Sequence, residues 1–212
     1  IILEIKMISI EEAKIVCKIE EQKKLAEQLG MTGWLKYLDE DQFIDEKLEI
    51  FKILKLNRET KLKVLDIGAG LGHFGNLCKH FGHDYLGTYY GRTNLQTQPF
   101  FDISNLNQTQ LGFFPDYDKN IPEGPWDVIV MIRTTFESTA EWSSKDWQEV
   151  YDSCWKNLNP GGQLLIKSNL TSMPSKKYGR LEYECVSRLK DAFPDKTPLP
   201  QWQWMTYHWI KE

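Results

Sequence analysis

Between residues 64 and 74 the chain reads Val64-Leu65-Asp66-Ile67-Gly68-Ala69-Gly70-Leu71-Gly72-His73-Phe74. An apolar strand runs into a carboxylate, then into a glycine turn, then into a helix. Glycines let the backbone turn sharply and let a ligand approach the main chain with no Cβ in between. The helix start that follows offers free amides and a partial charge of about +0.5. In the dinucleotide fingerprint the third glycine comes three residues after the second. Here His73 stands at that place, and the glycines are at 68, 70 and 72. Asp66, just before the turn, would repel a pyrophosphate, so the run suits a ligand with a cationic amine better. The histidines offer no comparable signal. His73 and His80 fall seven apart on one expected helix and His83 lies beyond its end, so no metal site is expected.

From Leu62 onward short apolar strands alternate with helical stretches, the pattern of a parallel sheet covered by helices. The spacing predicts strands over 62–67, 84–89, 99–102, 126–132 and 162–168, and helices over 72–81, 144–158 and 176–193. A last strand is expected over 202–210. It alternates Trp202, Trp204, Thr206, His208 and Ile210 with Met205, Tyr207 and Trp209, and two apolar faces suggest a strand buried within the sheet.

Residues 1–60 are different. They hold 10 basic and 13 acidic side chains and no proline. Ser9-Ile10-Glu11-Glu12 has the spacing of a capping box, and the helix it starts is expected to run through Leu29 and stop at Gly30. Ile44, Leu48, Phe51 and Leu54 share one face of a second helix. The organisation expected is a helical extension over 1–60, either a lid over a substrate pocket or a structural layer, followed by an α/β domain over 61–212.

The glycine run resembles the first motif of the class I S-adenosylmethionine-dependent methyltransferases, whose cofactor carries an amino-acid end and a sulfonium. Gly124-Pro125-Trp126-Asp127-Val128-Ile129-Val130-Met131 is similar to that family's fourth strand, and Leu158-Asn159-Pro160-Gly161-Gly162 to the turn before its fifth. The resemblance implies a Rossmann-like, mostly parallel sheet with helices on both faces, binding S-adenosyl-L-methionine. By the same resemblance Asp66 would contact the cofactor's amino group, and Gly68, Ala69 and Gly70 would bring backbone beside its methionine part. Tyr89 stands where an acid usually holds the ribose, and would give one hydroxyl hydrogen bond, stack on adenine, or simply pack. Asp102 would accept from the adenine amino group with Ile103 against the ring, or merely cap the following turn. With 13 positions between Tyr89 and Asp102, the connection there is expected to be a loop. Family members usually end on two antiparallel strands, and only one is visible here.

Methyl transfer from a sulfonium is an in-line displacement in which positioning does most of the work. The chain lacks the Asn/Asp-Pro-Pro-aromatic motif of amino-group methyltransferases and the Pro-Cys of cytosine C5 enzymes. After the fourth strand, Phe136-Glu137-Ser138 keeps the Glu but not the His of a Glu-His pair common in small-molecule members. Glu137 is therefore the candidate base or substrate anchor, and Arg133 the candidate clamp for a carboxylate or phosphate, against a helix-cap acid and a surface arginine as the plain alternatives.

The full sequence has 212 residues, 41% hydrophobic, with 8 Trp, 9 Tyr and 10 Phe, which argues for a globular protein and against disorder. A formal net charge of −4 gives no global attraction to nucleic acid or an anionic membrane. The four cysteines include no C-x-x-C pair and read as buried thiols of a reducing compartment. The expectation is thus a cytoplasmic enzyme that methylates a small-molecule acceptor, with neither nucleic acid nor membrane as partner. A non-catalytic cofactor-binding or scaffold protein is the main alternative, and a nicotinamide-dependent enzyme a third disfavoured by the glycine spacing.

Overall fold

The computed structural model describes residues 8–39, 41–90, 94–111, 121–133, 143–171, 187–199 and 204–212. The capping box forms as expected. Ser9 Oγ accepts from the Glu12 N–H at 3.1 Å, and the Glu12 carboxylate accepts from the Ser9 N–H at 2.8 Å. The helix it opens does not run unbroken to Leu29. Helix α1 (Ile10–Val16) ends at Cys17, Lys18 adopts a left-handed φ of 54°, and α2 (Ile19–Gln28) restarts. The break re-aims the chain so that Ile19, Gln22 and Ala26 are buried, while Lys18 Nζ reaches the Ile103 carbonyl at 2.5 Å. Gly30 then stops α2 with φ 67°. Its N–H bonds to Glu27 O and that of Met31 to Ala26 O, the paired bonds of a Schellman motif. A 3-10 turn (Thr32–Trp34), α3 (Lys36–Asp39) and α4 (Asp41–Ile53) complete this layer, with Ile44, Leu48 and Phe51 buried along α4 and Leu54 just beyond it.

Among the described residues the sheet has six strands: β1 (Lys63–Ile67), β2 (Asp84–Tyr90), β3 (Gln108–Leu111), β4 (Trp126–Ile132), β5 (Leu158–Thr171) and β6 (Trp204–Ile210). Their order is β3-β2-β1-β4-β5-β6, parallel except for β6, which runs antiparallel to β5. Helices α5 (His73–His80), α6 (Asn94–Ser104) and α7 (Ser144–Asn157) link them. Of the helix expected over 176–193, only 187–193 lies within the described residues, and 187–192 of it is helical.

Side chains alternate across the strands, so the sheet feeds two cores. Val64, Val128, Val130, Ile132 and Leu165 pack with α5 and the N-terminal helices. Leu65, Ile67, Ile129, Met131, Leu164 and Ile166 pack with Trp147, Val150 and Cys154 of α7 and with Leu189, Phe193 and Tyr207. The described residues between Ile8 and Leu56 thus supply much of the cover for one face of the sheet.

Three expectations are corrected. Residues 99–102 are not a strand but the second half of α6, which crosses from β2 to the parallel strand β3 where a loop was expected. Parallel neighbours need such a crossover. The burial of Thr97, Phe100, Phe101 and Ser104 follows a helical face, and the packing of two phenylalanines outweighs the N–H lost at Pro99 inside the helix. The true third strand is polar in sequence, Gln108-Thr109-Gln110-Leu111, and carries no apolar signal. Finally, β6 is the edge strand among the described residues. Its two apolar faces arise because both are covered even there. Tyr207 and Trp209 join Tyr151 and Phe193, with ring centroids 5.1–5.8 Å apart. On the other face His208 donates to Gln163 Oε1 at 2.9 Å, and Gln163 donates to the Leu54 carbonyl at 3.0 Å.

Three of the four cysteines are buried as expected, Cys17, Cys78 and Cys154, all free, and burial pushes Cys17 and Cys154 up to about 12, where they are unreactive; Cys185 lies outside the described residues. Among the described residues no helix is long and apolar enough to cross a membrane.

Gly75 on α5 sits directly against the Tyr85 ring of β2, and a Cβ there would overlap it. Gly75→Ala is expected to destabilise the fold by roughly 1–3 kcal/mol through overpacking, measured as a lower urea midpoint at unchanged m-value.

Candidate functional site

The strand order reverses between β1 and β4, and in an open parallel sheet the crevice at such a switch point is where ligands bind. The glycine loop leaves β1 at this place, and Arg133 follows β4. A cavity of about 500 Å³ opens there, lined by Asp66 at the end of β1, Gly68, Ala69 and Gly70 from the loop, Thr88 and Tyr89 from β2, and Ile132 and Arg133 at and just after the end of β4. The N-terminal layer closes it with Trp34, Tyr37, Phe43 and Lys47.

Thr88 shapes the loop. Its hydroxyl accepts from the Gly68 N–H at 3.0 Å and its carbonyl from the Ala69 N–H at 3.1 Å. These two amides are therefore spent on β2, and what the glycines contribute is backbone form: Gly68, Gly70 and Gly72 all have φ between 58° and 77°. The start of α5 is held from the other side by Gln22 of α2, which donates to the Leu71 carbonyl at 3.2 Å and accepts from His73 Nε2 at 2.9 Å. Burial, with the Lys47 charge adding to it, pushes His73 down to about 3, so this imidazole is a neutral strut. His83 is another. It accepts the Leu62 N–H on Nδ1 at 3.3 Å and donates from Nε2 to the Leu56 carbonyl at 2.6 Å. Among the described residues no cluster of three His, Cys, Asp or Glu could hold a metal ion.

Asp66 is 2% exposed and borders the cavity. Tyr85 donates its hydroxyl to one oxygen at 2.9 Å. Burial raises the carboxyl to about 6, against the opposing pull of the Tyr85 hydrogen bond and the Lys47 charge. A buried acid kept this high gains most from a cation brought within reach.

A second carboxylate, Glu46 on α4, organises the cations. It meets Arg133 Nη2 at 2.6 Å and Lys167 Nζ at 3.2 Å on Oε2, and Lys47 Nζ at 3.1 Å on Oε1. Burial pushes its carboxyl up, but Lys47, Arg133 and Lys167 outweigh that and hold it below the usual carboxylate range. Burial in turn brings Lys167 down to about 8 despite Glu46. Arg133 is thus no surface arginine; its guanidinium also lies over the Phe43 ring, 5.2 Å from the centroid.

The structure gathers Asp66, Gly68, Ala69, Gly70, Tyr89 and Arg133 around one cavity. Asp102 and Ile103 are not among its lining residues. Asp102 is an exposed residue of α6 that accepts from Gln98 Nε2 at 2.6 Å, and the Ile103 carbonyl receives Lys18. Their expected place against adenine assumed a strand where the helix stands. Glu137 lies outside the described residues. Sequence reading missed Glu46, Lys47, Lys167, Tyr85 and Thr88. Only their apolar settings, such as Lys167 ending the run Leu164-Leu165-Ile166, hinted at burial.

No protein-family model matches the chain, and no curated protein matches it. Solved structures do. TehB from Haemophilus influenzae superposes with a TM-score of 0.51 at 18% identity, over 79% of this chain and 62% of that one. A TehB-like SAM-dependent methyltransferase from Corynebacterium glutamicum gives 0.51 at 17% identity, over 76% and 85%. PigF, solved with SAH, gives 0.53 at 11% identity, over 86% and 62%. The chain therefore spans less than two thirds of the length of two of these three. The likeness is one of fold: this is the Rossmann-like fold of the class I methyltransferases.

Glu46→Ala would leave three cations without their shared anion and is expected to cost roughly 3–5 kcal/mol at neutral pH. Because the folded carboxyl lies below its ordinary 4.5, its stabilisation is present above that value and is lost as pH falls through the lowered one. Denaturant melts of wild type and variant should therefore converge in acid. Asp66 has the opposite sign. Its folded value of about 6 exceeds the ordinary 3.8, so its favourable share is full below 3.8 and lost as pH rises through about 6. Asp66→Asn should raise the ligand-free Tm at pH 8 and lose that advantage at pH 4.

Proposed function

We propose that this protein is a methyltransferase that uses S-adenosyl-L-methionine to methylate a small-molecule acceptor. The observation that carries this reading is Asp66: a buried carboxyl held at about 6, beside a left-handed glycine loop at the switch point of a sheet with the class I methyltransferase fold. Neighbouring structures add support, since one is described as SAM-dependent and another was solved with SAH.

The residues present suit the cofactor. Asp66 would accept from its ammonium group, and the charge brought there would offset the burial that now raises the carboxyl. Gly70 has open space where a Cβ would stand, so the methionine part can lie close to the backbone of 68–70. Tyr89 at the end of β2 would take the ribose or adenine by its hydroxyl or its ring. When bound, S-adenosylmethionine supplies a methyl group already activated by the sulfonium. The protein's work is then to align an acceptor atom with that carbon and to exclude water. Trp34, Tyr37 and Phe43 wall the cavity on the side of the N-terminal layer, which supports the lid rather than the structural layer as the role of that segment. Glu137, four residues beyond Arg133, is our candidate to take a proton where the acceptor must lose one.

A non-catalytic cofactor-binding protein is the second reading, favoured by one observation: β2 ends in Thr88-Tyr89-Tyr90, with no carboxylate for the ribose. Calorimetric titration with S-adenosylmethionine, S-adenosylhomocysteine and NAD separates the readings. Binding of the first two is expected, and Asp66→Asn should weaken it roughly tenfold or more, as loss of a charge-assisted hydrogen bond does. Binding of NAD alone would sink the methyltransferase reading. Cofactor binding without turnover over a broad acceptor panel would establish the non-catalytic one.

A further inference from the structure

The cavity walls differ in chemistry. The end of β1 brings one acid, Asp66. The N-terminal layer and the end of β4 bring Trp34, Tyr37 and Phe43 together with Lys36, Lys47 and Arg133. The rings are contiguous: centroids lie 6.0 Å apart for Trp34 and Tyr37 and 5.0 Å for Tyr37 and Phe43. The cations are built onto this wall. Lys36 Nζ stands 4.7 Å from the Tyr37 centroid, and Arg133 lies over Phe43.

Glu46 fixes two of these cations as a pair. Its Oε2 holds Arg133 and its Oε1 holds Lys47, and both side chains are less than one fifth exposed. One carboxylate fork thus presents a guanidinium and an ammonium side by side at the border of a partly desolvated cavity, where charge recognition is stronger than in water. Asp66 is the one acid among the described lining residues, and in the reading above it is taken by the cofactor's ammonium.

We propose that the acceptor is a flat organic anion, its carboxylate against the Arg133–Lys47 pair and its ring on Trp34, Tyr37 and Phe43. This rests on the methyltransferase reading. It narrows the acceptor from small molecules at large to those with a negative group beside an aromatic or other planar body. It also gives α4 a direct part in acceptor choice, since Glu46, Lys47 and Phe43 all lie on that helix.

The test uses the full chain saturated with S-adenosylhomocysteine. Calorimetric titration compares 4-hydroxybenzoate with 4-hydroxybenzamide and indole-3-acetate with indole-3-acetamide, each pair matched in shape and differing in charge. At least one acid is expected to bind about tenfold or more tightly than its amide. Lys47→Gln should remove most of that preference, with S-adenosylhomocysteine affinity as the internal reference. The double variant Glu46→Gln/Arg133→Gln should do the same; it leaves the buried Lys167 beside a neutral amide, so a melting curve confirms that each variant folds. The proposal is overturned if acids and amides bind equally, or if no acid binds below about 10 mM. It is also overturned if Lys47→Gln weakens S-adenosylhomocysteine as much as it weakens the acids, which would assign that cation to the cofactor's own carboxylate. Failure of the wild type to bind S-adenosylhomocysteine at all would instead refute the methyltransferase reading beneath it.

Discussion

The arrangement around the cavity depends on one buried carboxylate. Glu46 comes from α4, yet its partners Arg133 and Lys167 belong to the ends of β4 and β5. Burying a charge costs several kcal/mol unless it is paired and hydrogen-bonded, and loss of a single partner leaves that cost uncompensated. The N-terminal layer can therefore settle on the sheet in very few ways. Arg133 is fixed further by its backbone, which takes φ 49° and donates its N–H to the Lys167 carbonyl at 2.8 Å. A left-handed arginine is unfavourable by itself, so the ion cluster and this hydrogen bond must hold it there.

The same layer grips the glycine loop through Gln22, and the sheet grips it through Thr88. Polar contacts of this kind add little net stability, but a buried amide or imidazole left unpaired is costly, so they define geometry. Asp66 works in the other direction. Its burial is unfavourable in the empty protein at neutral pH, and the Tyr85 hydroxyl compensates only in part. A site that keeps an acid in this condition trades stability for affinity toward a cation.

Much of this was legible in the chain. Val64 to Phe74 announced the strand, turn and helix, because glycines and an apolar run act locally and need no partner to be read. The β4 bounds were legible for the same reason, since Trp126–Ile132 is apolar apart from Asp127, and α7 starts at Ser144 as the spacing predicts. Reading failed where local signals were weak or reversed. Phe100 and Phe101 look like a strand until Gly72 and Gly87 are seen to make room for the Phe101 ring on α6. Gln108–Leu111 is a strand only because Gly87 to Tyr90 lie beside it with free hydrogen-bonding edges.

The sequence by itself determined the strand–carboxylate–glycine loop, the alternation that makes a parallel α/β sheet, the helix that starts at Ile10 and the one that carries Ile44, Leu48 and Phe51. These follow from backbone conformation and hydrophobic periodicity, which are properties of neighbouring residues. Only the tertiary structure decided that Asp102 stands outside the cavity, that Arg133 pairs with Glu46, and that Lys47 and an aromatic wall from the N-terminal layer face the glycine loop. Those pairings join residues up to 121 positions apart, as between Glu46 and Lys167. No local pattern encodes them, because the energy that selects a buried charge's partners exists only once the chain has excluded water around it.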